Sequence, residues 1–291
     1  MVFRIQQVSN YGTSTPAVAR TFYQGCEVLG FFAVSGEQRE AAKGVLLELQ
    51  RHLVRCVEIR DAIASEVASA HKEIESKGFQ FQSGSRVVTL PSVVDLQSKA
   101  ESCLQSAKLA IGQTALLVKP FYGQRLDHRF QRFAALAAKQ FGADDSFTLM
   151  VREREPWVRN VVEMRNAVDH PDDGPGQRLV TQNFNLGWVG DRPGLVDPTW
   201  GLSGQLQTAI IEGMSAMIEG IIELGEEVLA ALFSKLKGGF PLMIYEIPVD
   251  KRDPTCPVRL HVGFEPGAYS KPLLSLRDDR SKHRDDANAG K

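Results

Sequence analysis

Apolar residues recur at helical spacing along most of this chain. From Glu37 to about Lys77, the positions Val45, Leu46, Leu49, Leu53, Val57, Ile63, Val67 and Ile74 fall near a 3.6-residue period with charges between them. This predicts one long amphipathic helix, stopped by Gly78. Before it, Arg20 to Val34 reads as a short apolar helix broken by Gly36. Pro91 is expected to open a helix from Ser92 to about Val118, because an early helical position tolerates its missing N–H, and Lys119-Pro120 to close it. Another helix is predicted over roughly Arg125 to Gln140. Asp144-Asp145-Ser146 then supplies capping side chains for a helix running to Asp169, in which Pro156 marks either a kink or the true first turn. The last long helix is expected from about Leu202 to Lys237, ended by Gly238-Gly239. It carries Gly213 and Gly220 on one face; glycine weakens a helix, so close approach of a neighbouring helix is the expected reason.

Between these periodic segments the pattern changes. Phe79 to Leu90, with Ser83-Gly84-Ser85 at its centre, predicts a small hairpin or extended loop. Arg178 to Trp200, broken by Gly, Asp and Pro, predicts strand–turn–strand, and Phe240–Ile247 and Val258–Val262 predict two more short strands. The stretch from Ser270 is polar and charge-dense and is expected to be a disordered tail. The implied fold class is mainly α, an up-and-down helical bundle with short β-hairpin insertions and a disordered C-terminal tail. Read along the chain, 1–80 is an N-terminal segment with one long helix packed on the bundle, 81–240 the bundle domain, 241–270 a strand and loop extension, and 271–291 the tail.

Composition narrows the function classes. With 43% hydrophobic and 24% charged residues, 291 residues suffice for a real core. A formal net charge of −1 argues against a surface coated in positive potential, so any nucleic-acid contact would have to come from a local patch. The four cysteines, Cys26, Cys56, Cys103 and Cys256, form no Cys-x-x-Cys pair and read as buried free thiols of a reducing compartment. The N-terminus lacks a secretory pattern, and the most apolar stretch, Ala209–Phe233, is interrupted by five glutamates. The expected localisation is cytoplasmic, without a membrane segment. No P-loop, dinucleotide fingerprint, nucleophile elbow or His-Glu-x-x-His site occurs, so no metal or cofactor is expected.

One segment suggests chemistry. Arg165-Asn166-Ala-Val-Asp169-His170 lies at the end of a predicted long helix, just before the break Pro171 to Gly176. It resembles the signature of the HEPN superfamily, in which an Arg followed by a polar residue precedes a His on a bundle helix. The resemblance covers roughly 91–238 and extends to the helices, β insertion and closing helix around the motif. It implies a metal-independent endoribonuclease of toxin or anti-phage defence type. His170 would take the proton from a ribose 2′-hydroxyl, Arg165 would meet the charge developing on phosphate, and Asn166 would orient either group. It also implies a homodimer through the bundle, with RNA and an antitoxin or regulatory protein as partners. Arg159, Arg129 and Arg132 are the accompanying candidates for RNA contact.

An alternative explains the same residues without catalysis. Arg165 and Asp169 are four apart and suit an ordinary helix-surface ion pair, and His170 sits where a helix C-terminus favours a cation. The chain is then a non-catalytic helical bundle serving as an interaction, RNA-binding or regulatory module. Lys119, Arg125, His128, Arg129 and Arg132 interleave with Phe121, Tyr122, Phe130 and Phe133, a pattern that serves single-stranded nucleic acid or, more simply, an amphipathic helix with core aromatics. Trp157, Trp188 and Trp200 read as core or hairpin-packing residues, and Glu223, Glu226 and Glu227 as a solvated helix face.

Overall fold

A computed structural model describes residues 10–81, 87–169, 178–189, 191–239 and 241–264. The chain is mainly α-helical with short antiparallel strand pairs, as the periodicity predicts. The elements in order are α1 (Pro16–Val18), a π-helical turn (Ala19–Tyr23), α2 (Gln24–Gly30), α3 (Gly36–Lys77), β1 (Gln80–Phe81), β2 (Val88–Thr89), α4 (Leu96–Leu116), α5 (Lys119–Tyr122), α6 (Phe130–Phe141), α7 (Ser146–Asp169), β3 (Leu179–Gln182), β4 (Asn185–Val189), β5 (Arg192–Val196), β6 (Thr199–Leu202), β7 (Thr208–Ala209), α8 (Ile210–Leu236), β8 (Met243–Glu246) and β9 (Leu260–Gly263). Among the described residues, no helix is long and apolar enough to cross a membrane.

Local chemistry explains where the helices start and stop. Ser35 Oγ accepts from the Gln38 N–H while Gln38 Oε1 accepts from the Ser35 N–H, a reciprocal capping box that opens α3. Gly36 is therefore the first residue of α3 and not a break. At the other end Gly78 takes a φ of +67°, and its N–H closes on the Ile74 carbonyl. The α7 start is capped by Asp145, whose Oδ1 accepts from the Phe147 N–H, and Pro156 lies inside a continuous helix. The helical run nearest the N-terminus begins at Pro16, ahead of the expected Arg20, and a π-helical turn interrupts it.

Further expected starts move, and α6 begins at Phe130 instead of about Arg125. α4 begins at Leu96 instead of near Ser92, because Val93 is held outside the helix. Its N–H and carbonyl both bind the Asn183 carboxamide, and Glu66 accepts the Val94 N–H. α8 begins at Ile210 instead of Leu202, since Thr199–Leu202 and Thr208–Ala209 pair as strands. Pro120 sits in the first turn of α5 instead of simply closing the preceding helix.

The strand pairings are all antiparallel. β3 pairs with β6 from Leu179↔Leu202 to Gln182↔Thr199, and the same register resumes at Asn185↔Val196 and runs to Val189↔Arg192. Residues 179–189 and 192–202 therefore pair along one antiparallel arm. Its ladder is interrupted where Asn183 turns its side chain to Val93 and Pro198 has no N–H to give. The expected turn 82–86 and the tail from Ser270 lie outside the described residues.

Contact density divides the chain into two units. The first comprises Met1–Arg51, Ile111–Glu155 and Ile222–Lys291; the second comprises His52–Ala110 and Pro156–Ile221. In the first, Phe130, Phe133 and Phe147 are buried and meet edge to face, and Leu46, Leu49 and the stretch Val228–Phe233 of α8 are buried as well. Of the rings in that basic and aromatic segment, Phe130 and Phe133 are core, as the simpler reading of an amphipathic helix holds, while Phe121 and Tyr122 are half-buried. In the second, Leu53, Ile63 and Val67 of α3 are buried, as are Ala100, Leu104 and Ala107 of α4 and Val158 and Val161 of α7. Cys56 and Cys103 are buried there as free thiols, while Cys26 and Cys256 are half-buried. The hydrogen bond with the Cys103 thiol, and then burial, push the Cys56 thiol well above its ordinary pKa.

Candidate functional site

Arg165 to Asp169 of the candidate motif form the C-terminal end of α7, in the second unit. Arg165 is half-buried, and its Nε–H donates to Gln105 Oε1 of α4 at 2.6 Å. Asn166 is also half-buried, and its Oδ1 accepts from the Lys108 ammonium at 3.1 Å. Gln105 and Lys108 are three residues apart, so they rise from neighbouring positions on one helix face. Both motif side chains are thus engaged with α4. His170 and the Asp169 side chain lie outside the described residues. Arg159 is exposed on α7 in the same unit.

Arg129 and Arg132 belong to the other unit. Arg129 precedes α6, and both its backbone N–H and its Nε–H donate to the Asp127 carboxylate, at 2.9 and 3.1 Å. That pairing, with the Arg129 N–H as a principal cause, holds the Asp127 carboxyl below its ordinary pKa despite partial burial. Arg132 is exposed on α6. The structure thus groups Arg159, Arg165 and Asn166 in one unit and places Arg129 and Arg132 in the other.

A different face of the α7 C-terminal half borders an open cavity of about 210 Å³, also within the second unit. Trp157, Asn160 and Met164 reach it from successive turns, and Trp200 and Leu202 from β6. Another wall is α8 around Ala216 and Met217. The glycines of α8 account for this shape. A Cβ added at Gly220 would come within 2.5 Å of Trp157 Cζ2, and one at Gly213 would run into the Trp200 ring. Close approach is therefore the reason for both glycines. At Gly220 the partner is a helix residue, as expected, but at Gly213 it is a strand tryptophan. Trp200 is buried and Trp157 half-buried, whereas Trp188, read from sequence as a packing residue, is 75% exposed on β4.

The three glutamates of α8 correct a second expectation. Glu226 is 2% exposed and lies in the first unit. Its carboxylate accepts from Arg20 Nε at 2.9 Å and Nη2 at 2.7 Å, from Gln24 Nε2 at 3.0 Å and from Arg259 Nη1 at 3.2 Å. Gln24 Oε1 in turn accepts the Arg259 and Leu260 N–H groups, so α2 pins β9 through one carboxamide. Glu223 and Glu227 bind Arg154 of α7, and Glu227 foremost holds that guanidinium above its ordinary pKa. The acidic face is solvated only in part: it answers arginines that lie 33 to 206 positions away in sequence, which no local pattern announces. Among the described residues, no group of three or more His, Cys, Asp or Glu side chains is placed to hold a metal ion.

No protein-family model, curated protein or solved structure matches this chain.

Proposed function

We propose that this chain is a non-catalytic helical-bundle module that acts by binding, in which Arg165 and Asn166 fix α7 against α4. The observation that carries this reading is their pairing with Gln105 and Lys108. A guanidinium that stabilises phosphate must present its fork to charge that develops during reaction, with no competing partner to displace. The Arg165 Nε–H, one member of that fork, is spent on Gln105. The oxygen of Asn166, which would accept from an imidazole N–H, is spent on Lys108. The supporting cations are dispersed as well: Arg129 is bound to Asp127, and Arg154, Arg20 and Arg259 answer the α8 carboxylates.

The test uses the full chain with Arg165→Ala, Gln105→Ala and His170→Ala variants. The expected result is that wild type leaves cellular RNA intact and does not arrest growth. Arg165→Ala and Gln105→Ala should each cost about 0.5–1.5 kcal/mol of stability, with the double variant costing less than their sum. RNA cleavage by wild type, leaving cyclic-phosphate ends and abolished by Arg165→Ala or His170→Ala, would overturn the proposal. It would install the endoribonuclease reading that the HEPN resemblance implies.

A further inference from the structure

The cavity beside the motif helix has a composition that specifies a ligand. Two indoles, Trp157 and Trp200, contribute to its walls, joined by the thioethers of Met164 and Met217. The two indoles rest against α8 at Gly220 and Gly213, seats seven residues apart and so about 10 Å apart along the helix. Ala216 and Met217 lie between those seats as part of the floor. Indole faces and thioether sulfurs both favour an aromatic guest over an aliphatic one, through ring quadrupoles and sulfur–ring contacts.

Size and charge restrict the guest further. A dry cavity of about 150 Å³ takes up one benzene ring, and this one measures about 210 Å³. A single bicyclic aromatic fits that difference. Among the described residues, no Lys, Arg, His, Asp or Glu lines the cavity, so a phosphate, carboxylate or ammonium would surrender its hydration without a charged partner there. Asn160, Gln205 and Thr208 line it as well and are exposed, which places amide and hydroxyl groups within reach of one polar substituent. Leu206 stands on the lip with 91% of its surface in solvent, an apolar side chain that a bound ring would cover.

We propose that this cavity binds a neutral, indole-sized aromatic molecule bearing one hydrogen-bonding group. The proposal rests on the binding reading above and names the class of ligand for that module. 5-Fluoroindole is a suitable probe, followed by its ¹⁹F NMR linewidth with the full chain. Broadening that excess unlabelled indole reverses is expected. In a Trp188→Phe background the remaining tryptophans both line the cavity, so their fluorescence should respond to a non-fluorescent aromatic guest, nitrobenzene. Ala216→Leu keeps a strong helix former while filling the floor, and should weaken binding about tenfold or more. Leu206→Ser should weaken it by a smaller factor, and its exposure makes it safe for folding if Ala216→Leu is not. Leu186→Ser, at another exposed leucine of the same unit, should leave affinity within about twofold.

Absence of broadening at about 1 mM probe, a concentration that would reveal even weak association, would overturn the proposal. So would unchanged affinity in a folded Ala216→Leu protein, or tighter binding of 1-heptanol than of indole. RNA cleavage with intact probe binding would remove the non-catalytic reading and keep this site. Intact RNA with no probe binding would do the reverse.

Discussion

Glu226 offers the sharpest quantitative test of the packing described above. Its carboxylate is 1% exposed at the side chain and receives two donors from Arg20, one from Gln24 and one from Arg259. Glu226→Ala would leave the Arg20 guanidinium, itself 6% exposed, without its bidentate partner. Arg259 would suffer less, because Glu246 still binds it at 3.0 and 3.2 Å. Breaking one side of a buried ion pair costs about 3–5 kcal/mol, most of it from the charge left behind. Against a total stability of about 5–15 kcal/mol, that loss should be plain. Glu226→Gln should cost nearly as much, since one of the two oxygens becomes an amide NH2 facing two of the four donors. Arg20→Met/Glu226→Leu removes both charges and should recover most of the loss, because apolar replacement of a whole buried pair is often close to neutral.

Urea unfolding followed by far-ultraviolet circular dichroism measures these differences through the midpoint, with the slope checked for constancy. A surface control, Glu40→Ala, removes an ion pair in which the carboxylate is 70% exposed, and should change stability by less than about 1 kcal/mol. The reasoning is refuted if Glu226→Ala is no worse than that control. It is equally refuted if the double variant is as unstable as the single one, because the cost would then not lie in an orphaned charge.

Three further outcomes follow from the same contacts. Gly220→Ala should destabilise by about 1–3 kcal/mol, the cost of overpacking against Trp157, whereas Gly44→Ala in α3, where an added Cβ meets nothing within 4 Å, should stabilise by up to about 1 kcal/mol; thermal melts of the two variants moving in the same direction would contradict this. Glu66 has its pKa lowered, first by its hydrogen bond from Lys99. A depressed folded value stabilises above the unfolded carboxyl pKa of about 4.3 and is lost as pH falls through the lower folded one. Lys99→Met should therefore flatten the acid side of the stability profile, and a profile of unchanged steepness would count against that link. Iodoacetamide should modify Cys26 and Cys256 ahead of Cys56 and Cys103 in the native protein, as peptide mass mapping can read, because the latter pair is buried and the Cys56 thiol resists ionisation.

The hydrophobic pattern located the helices because each long helix keeps an apolar stripe, and local signals such as Ser35–Gln38 and Gly78 act within one turn. Its failures share a physical origin. Ser92 to Asp95 looks like a helix start, but the backbone there is satisfied sideways by Asn183 and Glu66, partners 28 and 90 positions away. Leu202 and Leu206 can extend the apolar face of α8, yet Leu202 pairs with Leu179 and Thr208–Ala209 pair with Thr199–Trp200 as strands. The same distance in sequence hid Glu226, whose neighbours on α8 read as a solvated face until Arg20 and Arg259 are brought to it.

The functional signals divide along that line as well. Arg165 and Asn166 were visible as a motif, but Gln105 and Lys108, which determine what those side chains do, sit in a helix with no motif of its own. Gly213 and Gly220 were conspicuous because glycine is costly inside a helix, and that cost pointed to close approach before any partner was known. The partners proved to be two tryptophans, and the space between their seats is the cavity. A residue retained against its own propensity thus led to the cavity without any motif. Propensity penalties must be repaid by something nearby, whereas an arginine and an asparagine on a helix can be occupied by ordinary packing.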